Sequence, residues 1–367
     1  MLVNAFTGLR IGLIGPLAPP AGGMANQTRQ LAELLRADDA TVCLVQTNAP
    51  YRPAWVGGLR GVRALFRLVA YVHALWRAAG RSDLFHVMAN SGWSWHLFAA
   101  PAIWVARLRR VPVVVNYRGG EAADFLARSH RLVRWSMKRA VQLIVPSGFL
   151  RQTFARFGMA AGEVPNIIDL ERFAPGATAH TRTHAPQLVV ARNLEPLYDN
   201  ATAIHTLAIV RQSHAQATLV IAGTGPDEAR LKRLITSMGL QECIRFTGRL
   251  ERDAMADLYR QSDCCLNPSL ADNMPNSVLE ALACGVPVVS TDVGGVPFIV
   301  EHETSALLVP PGDALAMAAA VNRLLAQPAL AERLRQAGLR EVQRYTWNAV
   351  RPMLSRVYGE ATGARAA

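Results

Sequence analysis

Residues 262–301 read SDCCLNPSLADNMPNSVLEALACGVPVVSTDVGGVPFIVE, and how this stretch folds decides the fold of the chain. Two short apolar runs, Cys264-Cys265-Leu266 and Val286 to Val289, have the length of buried strands. Between them, Asn273-Met274-Pro275-Asn276-Ser277 is a set of helix-start residues. Val278, Leu279, Ala281 and Leu282 follow as an apolar helix face, and Gly285 stops the helix. The order is strand, loop, helix and strand, the repeating unit of a parallel sheet. Two carboxylates stand eight positions apart, Asp272 just ahead of the helix and Glu280 on it. A helix N-terminus presents backbone N–H groups and the positive end of a dipole, so it suits a phosphate. Glu280 is placed to reach hydroxyls of the same ligand.

The same alternation extends in both directions. In the first half, Ile11 to Ile14, Thr41 to Val45, Leu84 to Val87, Val113 to Val115 and Leu143 to Val145 read as buried strands separated by helical stretches. A Pro/Gly loop from Gly15 to Gly23 leads into a helix from about Ala25 to Arg36. After a polar segment, Ala174 to Gln187, the pattern restarts with Leu188 to Ala191, Thr218 to Ala222, Ile244 to Phe246 and Ala306 to Val309. This predicts two strand–helix domains in series, residues 1–178 and 187–343, joined by a Thr/Pro/His-rich linker. A last helix, residues 344–362, is expected to return to the first domain. Pro352 falls inside it, so a bent or broken helix is expected.

At 367 residues, two domains are the default. The net charge of +12 comes almost wholly from arginine, since Lys138 and Lys232 are the only lysines. Two explanations stay open: a coding preference for arginine, or a surface that attracts phosphate-bearing ligands or anionic membrane. The five cysteines, Cys43, Cys243, Cys264, Cys265 and Cys284, lie in apolar surroundings without C-x-x-C spacing. They read as core residues of a reduced, cytoplasmic protein rather than metal ligands. The N-terminus lacks a signal-peptide pattern, and the longest apolar stretch is too short to span a bilayer. Residues 59–81, where arginines alternate with aromatic and aliphatic residues, fit either a basic amphipathic helix at the inner face of a membrane or an ordinary domain helix. No nucleic-acid partner is expected.

Several chemistries are disfavoured by missing motifs. Gly223-Thr224-Gly225-Pro226-Asp227-Glu228 follows a strand, but Glu228 stands where a dinucleotide-binding loop needs Gly or Ala. The chain holds no Walker A sequence, no H-E-x-x-H and no Asp-x-Asp pair; Asp38-Asp39 is the nearest approach. A nicotinamide enzyme and a metal-dependent transferase are both poor fits.

With these residues in view, the chain resembles the GT-B glycosyltransferases of family 4, retaining enzymes that use nucleotide-sugar donors. The likeness spans nearly the whole chain and is most specific from Leu188 to Pro311. It rests on Asp272 and Glu280 in that family's acidic motif, with Asp in the first place instead of Glu. Arg192, Gly223/Gly225, Gly248, Pro268-Ser269 and Gly294-Gly295-Val296-Pro297 fall in the matching order. The resemblance implies two Rossmann-like parallel-sheet domains facing across a cleft. It implies that Glu280 accepts hydrogen bonds from the donor's ribose, and that Asp272 holds the transferred sugar and stabilises an oxocarbenium-like transition state. Backbone N–H groups of Asn273, Met274, Pro275's neighbours, Asn276 and Ser277 would hold sugar and phosphate oxygens. Arg192 would neutralise the diphosphate, and Gly22, Gly23 and Gly223 would let backbone approach the donor. The donor would be a UDP- or GDP-sugar, the acceptor a saccharide or lipid-linked saccharide, and no cofactor or metal is called for.

The chain departs from the pattern twice. The lysine that usually follows the arginine is missing from Asn193-Leu194-Glu195-Pro196-Leu197-Tyr198, which leaves Arg249 as a candidate substitute. Arg118 stands where the family has a histidine after the strand Val113 to Asn116, and it can bind an anion but not shuttle a proton. Among the histidines, His86 reads as a strand-end residue, and His180 and His184 as linker. Two rival readings follow: a nucleotide-sugar epimerase on the same fold, and a nucleotide-binding member without catalysis.

Overall fold

The structure is a computed structural model that describes residues 6–19, 22–51, 55, 58, 63–176 and 185–363. It divides into two compact units, Met1–Asn166 with Trp347–Ala367, and Ile167–Thr346. Residues 177–184, with His180 and His184, lie outside the described residues, as do residues 59–62 at the start of the basic stretch 59–81.

The first unit is built on β1 (Arg10–Gly15), β2 (Thr41–Gln46), β3 (Leu84–Ala89), β4 (Val113–Tyr117), β5 (Gln142–Val145) and β6 (Gly162–Glu163). They form a parallel sheet in the order β2-β1-β3-β4-β5-β6. Strands such as β3 and β4 are buried along their whole length, as a sheet covered on both faces demands. The helices are α1 (Gly23–Ala37), α2 (Arg63–Ala79), α3 (Ala100–Leu108), α4 (Ala122–Met137) and α5 (Gly148–Arg156). Strand order reverses at β1, so right-handed crossovers put α1 on one face and α2 to α5 on the other. Tyr71, Ile103, Leu126 and Phe154 from those four helices share one core with β3 and β4.

The second unit holds β7 (Gln187–Ala191), β8 (Thr218–Ala222), β9 (Ile244–Gly248), β10 (Cys264–Asn267), β11 (Val288–Thr291) and β12 (Leu307–Val309). Its order, β12-β11-β10-β7-β8-β9, is that of a complete doubly wound fold. Helices α6 (Asn200–Ser213), α7 (Glu228–Ser237) and α10 (Ala314–Ala326) pack with one side of the sheet, and α11 (Pro328–Glu341) joins that core. Helices α8 (Arg252–Arg260) and α9 (Asn276–Ala283) pack on the other.

Three expectations need correction. The strand read at Val286 to Val289 lies two residues later, because Pro287 has no N–H to give the ladder; its carbonyl instead accepts from Cys265. The break anticipated at Pro352 does not occur, and α12 (Trp347–Gly363) runs through it. Proline there removes one backbone hydrogen bond, while Val350, Leu354, Val357, Tyr358 and Ala361 bury a full apolar face. His86 is not at a strand end but in the middle of β3, fully buried. All five cysteines are free thiols. Among the described residues, no single helix is long and apolar enough to cross a membrane.

Candidate functional site

In a doubly wound sheet, ligands bind outside the carboxyl ends of the strands where the order reverses. In the second unit that point lies between neighbours β7 and β10. The loops leaving those two strands carry Arg192 and Asp272, and the two side chains form an ion pair there, each only about a tenth exposed. The same guanidinium donates from Nη1 to Ser277 Oγ at 3.4 Å, in the first turn of α9. It also lies 4.1 Å over the ring of Tyr198, in the segment that lacks the lysine. Sequence reasoning missed this aromatic platform, because it searched the segment only for a second cation.

Why the backbone holds this shape is visible in four glycines. A Cβ on Gly223 or Gly225 would fall 2.0 and 2.3 Å from the carbonyl oxygens of Arg192 and Leu194, so the loop after β8 presses directly on the Arg192 loop. A Cβ on Gly294 or Gly295 would fall 2.0 and 1.7 Å from the carbonyl oxygens of Asp272 and Asn273. Gly295 N donates to Asp272 O at 3.0 Å. The glycine pair after β11 is therefore a clamp on the acidic loop. A buried polar net sets the start of that loop. Ser269 Oγ donates to Asn267 Oδ1, Asn267 Nδ2 donates to Ser290 Oγ, and Thr291 Oγ1 donates to Ser269 O at 2.6 Å.

Helix α9 begins at Asn276, with Pro275 as its cap residue and no side-chain cap bond. Asn273, Met274 and Ser277 are buried in the loop and first turn. Glu280 extends from the helix to a deeply placed carboxyl, where Tyr259 Oη donates to Oε2 at 3.3 Å. Burial pushes that carboxyl up to about 7, against the pull of Tyr259, Arg252 and Arg192. Burial also raises Asp272, opposed by Arg192 and by the Asn273 N–H that donates to it at 3.0 Å. Tyr259 and Arg252 were absent from the sequence reading. Both sit on α8, whose pattern marks them only as a core aromatic and a surface charge.

Arg249 is exposed just after β9, and the structure does not bring it onto Arg192 or the two carboxylates. Among the described residues, no three His, Cys, Asp or Glu side chains converge as a metal site.

In the first unit, strand order reverses between β1 and β3, and a cavity of about 160 Å³ opens there. Ile14 and Pro16 line it from the β1 side, Thr47 and Asn48 from β2, and Met88 and Ser94 from β3. Gly22 is the cap residue of α1, and a Cβ there would meet open space. Arg118 leaves β4 and donates to Asn116 Oδ1 at 3.2 Å and to Gln27 Oε1 of α1 at 3.4 Å. Burial lowers Arg118 to about 10. Its bond fixes the Asn116 amide, whose Nδ2 faces His86 Nε2 at 3.1 Å; His86 Nδ1 then carries the proton toward Tyr358 Oη at 2.8 Å. Burial, with the nearby Arg118 charge, holds His86 down to about 3, so it is neutral near pH 7 with both ring nitrogens engaged.

Known proteins share both halves of the chain. Residues 22–166 match the family described as "Glycosyl transferase 4-like domain", and residues 185–327 match "Glycosyl transferases group 1". The chain is 28% identical to a phosphatidyl-myo-inositol mannosyltransferase of Mycobacterium leprae, over 95% of this chain and 96% of that one. Among solved structures it is similar to a sucrose-phosphate synthase from Thermosynechococcus elongatus. That likeness has a TM-score of 0.78 and 23% identity, over 97% of this chain and all of that one. It is also similar to Anabaena HepE in complex with UDP, with a TM-score of 0.75 and 17% identity, over 96% of this chain and all of that one. The fold they share is GT-B.

Proposed function

The chain belongs to the group 1, family 4-like glycosyltransferases, and from that premise we propose that it moves a sugar from a nucleoside-diphosphate sugar to an acceptor hydroxyl with retained anomeric configuration. The observation that carries this reading is the Arg192–Asp272 pair at the β7/β10 reversal, with the Glu280 carboxyl on the adjoining helix. An arginine at a helix start, backed by a tyrosine ring, suits a diphosphate. Two partly desolvated carboxyls suit hydroxyl donors.

Each residue then has a separate task. Glu280 accepts from the ribose hydroxyls. Asp272 holds hydroxyls of the transferred sugar and offsets positive charge as the anomeric carbon becomes oxocarbenium-like. Arg192 is shared between Asp272 and the diphosphate, whose charge grows as the bond from the anomeric carbon to phosphate oxygen breaks. The new bond forms on the same face, and the acceptor proton passes to the leaving phosphate oxygen. Asn273, Met274, Pro275, Asn276 and Ser277 shape the sugar end, and Gly223 and Arg249 border the nucleotide. The first unit supplies the acceptor side and Arg118 as an anion-binding group, while Gly22 and Gly23 at its α1 start let backbone approach a donor phosphate. No metal is needed in this scheme, since Arg192 supplies the positive charge.

The test is product analysis with a panel of UDP- and GDP-sugars in EDTA, with and without saccharide and lipid-linked acceptors. Transfer to an acceptor with retained configuration is the expected outcome. Conversion of donor alone into its epimer, strict dependence on a divalent metal, or nucleotide binding without turnover would each replace this reading with another.

A further inference from the structure

The charge of this protein is unevenly spread. Of its 39 basic and 27 acidic residues, residues 40–162 hold 17 and three, while the rest of the chain holds 22 and 24. The rest is balanced, so a coding preference for arginine explains Arg over Lys but not the missing acids. One of the three, Asp83, is engaged by Arg10. The basic segment builds α2 to α5, the helical layer on one face of the first unit.

On that layer, large apolar side chains remain in water. Helix α2 turns Tyr71, Leu75, Ala78 and Ala79 into the core but leaves Phe66, Val69 and Trp76 exposed along one outer stripe. Helix α3 packs beside both α2 and α4. At its end Leu108 is 69% exposed, flanked by exposed Arg107, Arg109 and Arg110. Arg109 lies 4.8 Å over the Trp76 ring, tying that end of α3 to α2. On α4, Leu132 and Trp135 are exposed beside exposed Arg128 and Arg131. Trp135 sits 4.3 Å from Trp104 of α3, and Arg139 covers both rings at 4.5 and 4.0 Å.

We infer that the outer face of α2, α3 and α4 docks on an anionic lipid bilayer, the indole rings at headgroup depth and the arginines on lipid phosphates. Tryptophan with arginine matches the boundary between headgroups and acyl chains, where one end of each side chain is apolar and the other charged. Polybasic surfaces gain attraction with each cation held near anionic lipid. A nucleic acid would use the charge alone and give Val69, Leu108 and Leu132 nothing to bury against. The inference extends from one helix to three, and it stands independently of the sugar-transfer reading.

Co-sedimentation of the full chain with vesicles of phosphatidylglycerol and phosphatidylcholine, against phosphatidylcholine alone, tests it. Binding is expected to the anionic vesicles only, falling steeply as salt rises. Arg107→Glu with Arg131→Glu should weaken binding at least tenfold, and Leu108→Ser with Trp135→Ser should weaken it with the charge intact. Arg245→Glu with Arg333→Glu, exposed in the second unit, should leave it unchanged. Melting temperatures equal to that of the parent protein establish that each variant is folded. Equal binding to both lipids, an equal loss in the second-unit variant, or saturable binding to duplex RNA with none to vesicles would overturn the inference.

Discussion

Both units carry a six-stranded parallel sheet whose strand order reverses, and near both reversals titratable groups have been drawn out of water, bases in one and acids in the other. In the first unit the buried groups are bases. Arg118 is lowered to about 10, and His86 is lowered to about 3 and held in one tautomer between Asn116 and Tyr358. In the second they are acids, Asp272 and Glu280, both raised by burial and answered by Arg192, Tyr259 and Arg252. The scaffold does not choose the sign; the loops after the strands do. On the proposed reading, the acidic unit receives hydroxyls and a diphosphate together, and the basic one an anion.

The largest effects should come from breaking the acidic side. Asp272→Ala and Glu280→Gln are each expected to lower turnover by about 100-fold or more, as removal of a transition-state partner does. Steady-state assays in EDTA measure this, and full activity in both variants would remove these residues from the site. Arg192→Ala should cost folding stability as well as activity, about 3 kcal/mol, because it leaves the Asp272 carboxyl buried without its cation. Denaturant unfolding reads that loss, and Asp272→Asn with Arg192→Ala should recover part of it.

A buried base and buried acids also predict opposite responses to pH. The folded chain holds the Glu280 proton more tightly than the unfolded chain does. The second unit therefore loses stability as pH rises from about 4.5 through about 7, and Asp272 adds in the same direction. His86 behaves in reverse: the unfolded chain takes up a proton that the folded one refuses, so the first unit loses stability as pH falls below about 6.5 toward about 3. Melting curves should show the alkaline loss flattened in Glu280→Gln and the acid loss unchanged. If donor hydroxyls bind the ionised Glu280, donor affinity should weaken as pH drops through about 7. The smallest effect expected is that of Tyr358→Phe, about 1 kcal/mol from one buried hydrogen bond, with turnover nearly intact.

The alternation of short apolar runs with helical stretches made the strands legible, since a sheet covered on both faces needs no alternating polar residue. The acidic loop was legible for a different reason: a helix start and two carboxylates lie within nine residues of chain. What supports them was not. Tyr259, Arg252 and Tyr198 reach the site from other elements, and nothing in their local sequence separates them from ordinary core or surface residues. The glycine pair Gly294-Gly295 was noticed as a motif, but its purpose is a contact across the sheet that only the fold supplies. At Pro352 the terminal helix is continuous rather than broken, a local rule being outweighed by an apolar face buried along its length.

The most direct test of the donor site is a calorimetric titration of UDP and GDP, in EDTA, into the parent protein, Glu280→Gln and Tyr358→Phe. One of the two nucleotides should bind the parent and Tyr358→Phe alike, and Glu280→Gln at least tenfold more weakly. Equal affinity in all three proteins would contradict the placement of the donor's ribose on Glu280 in the second unit.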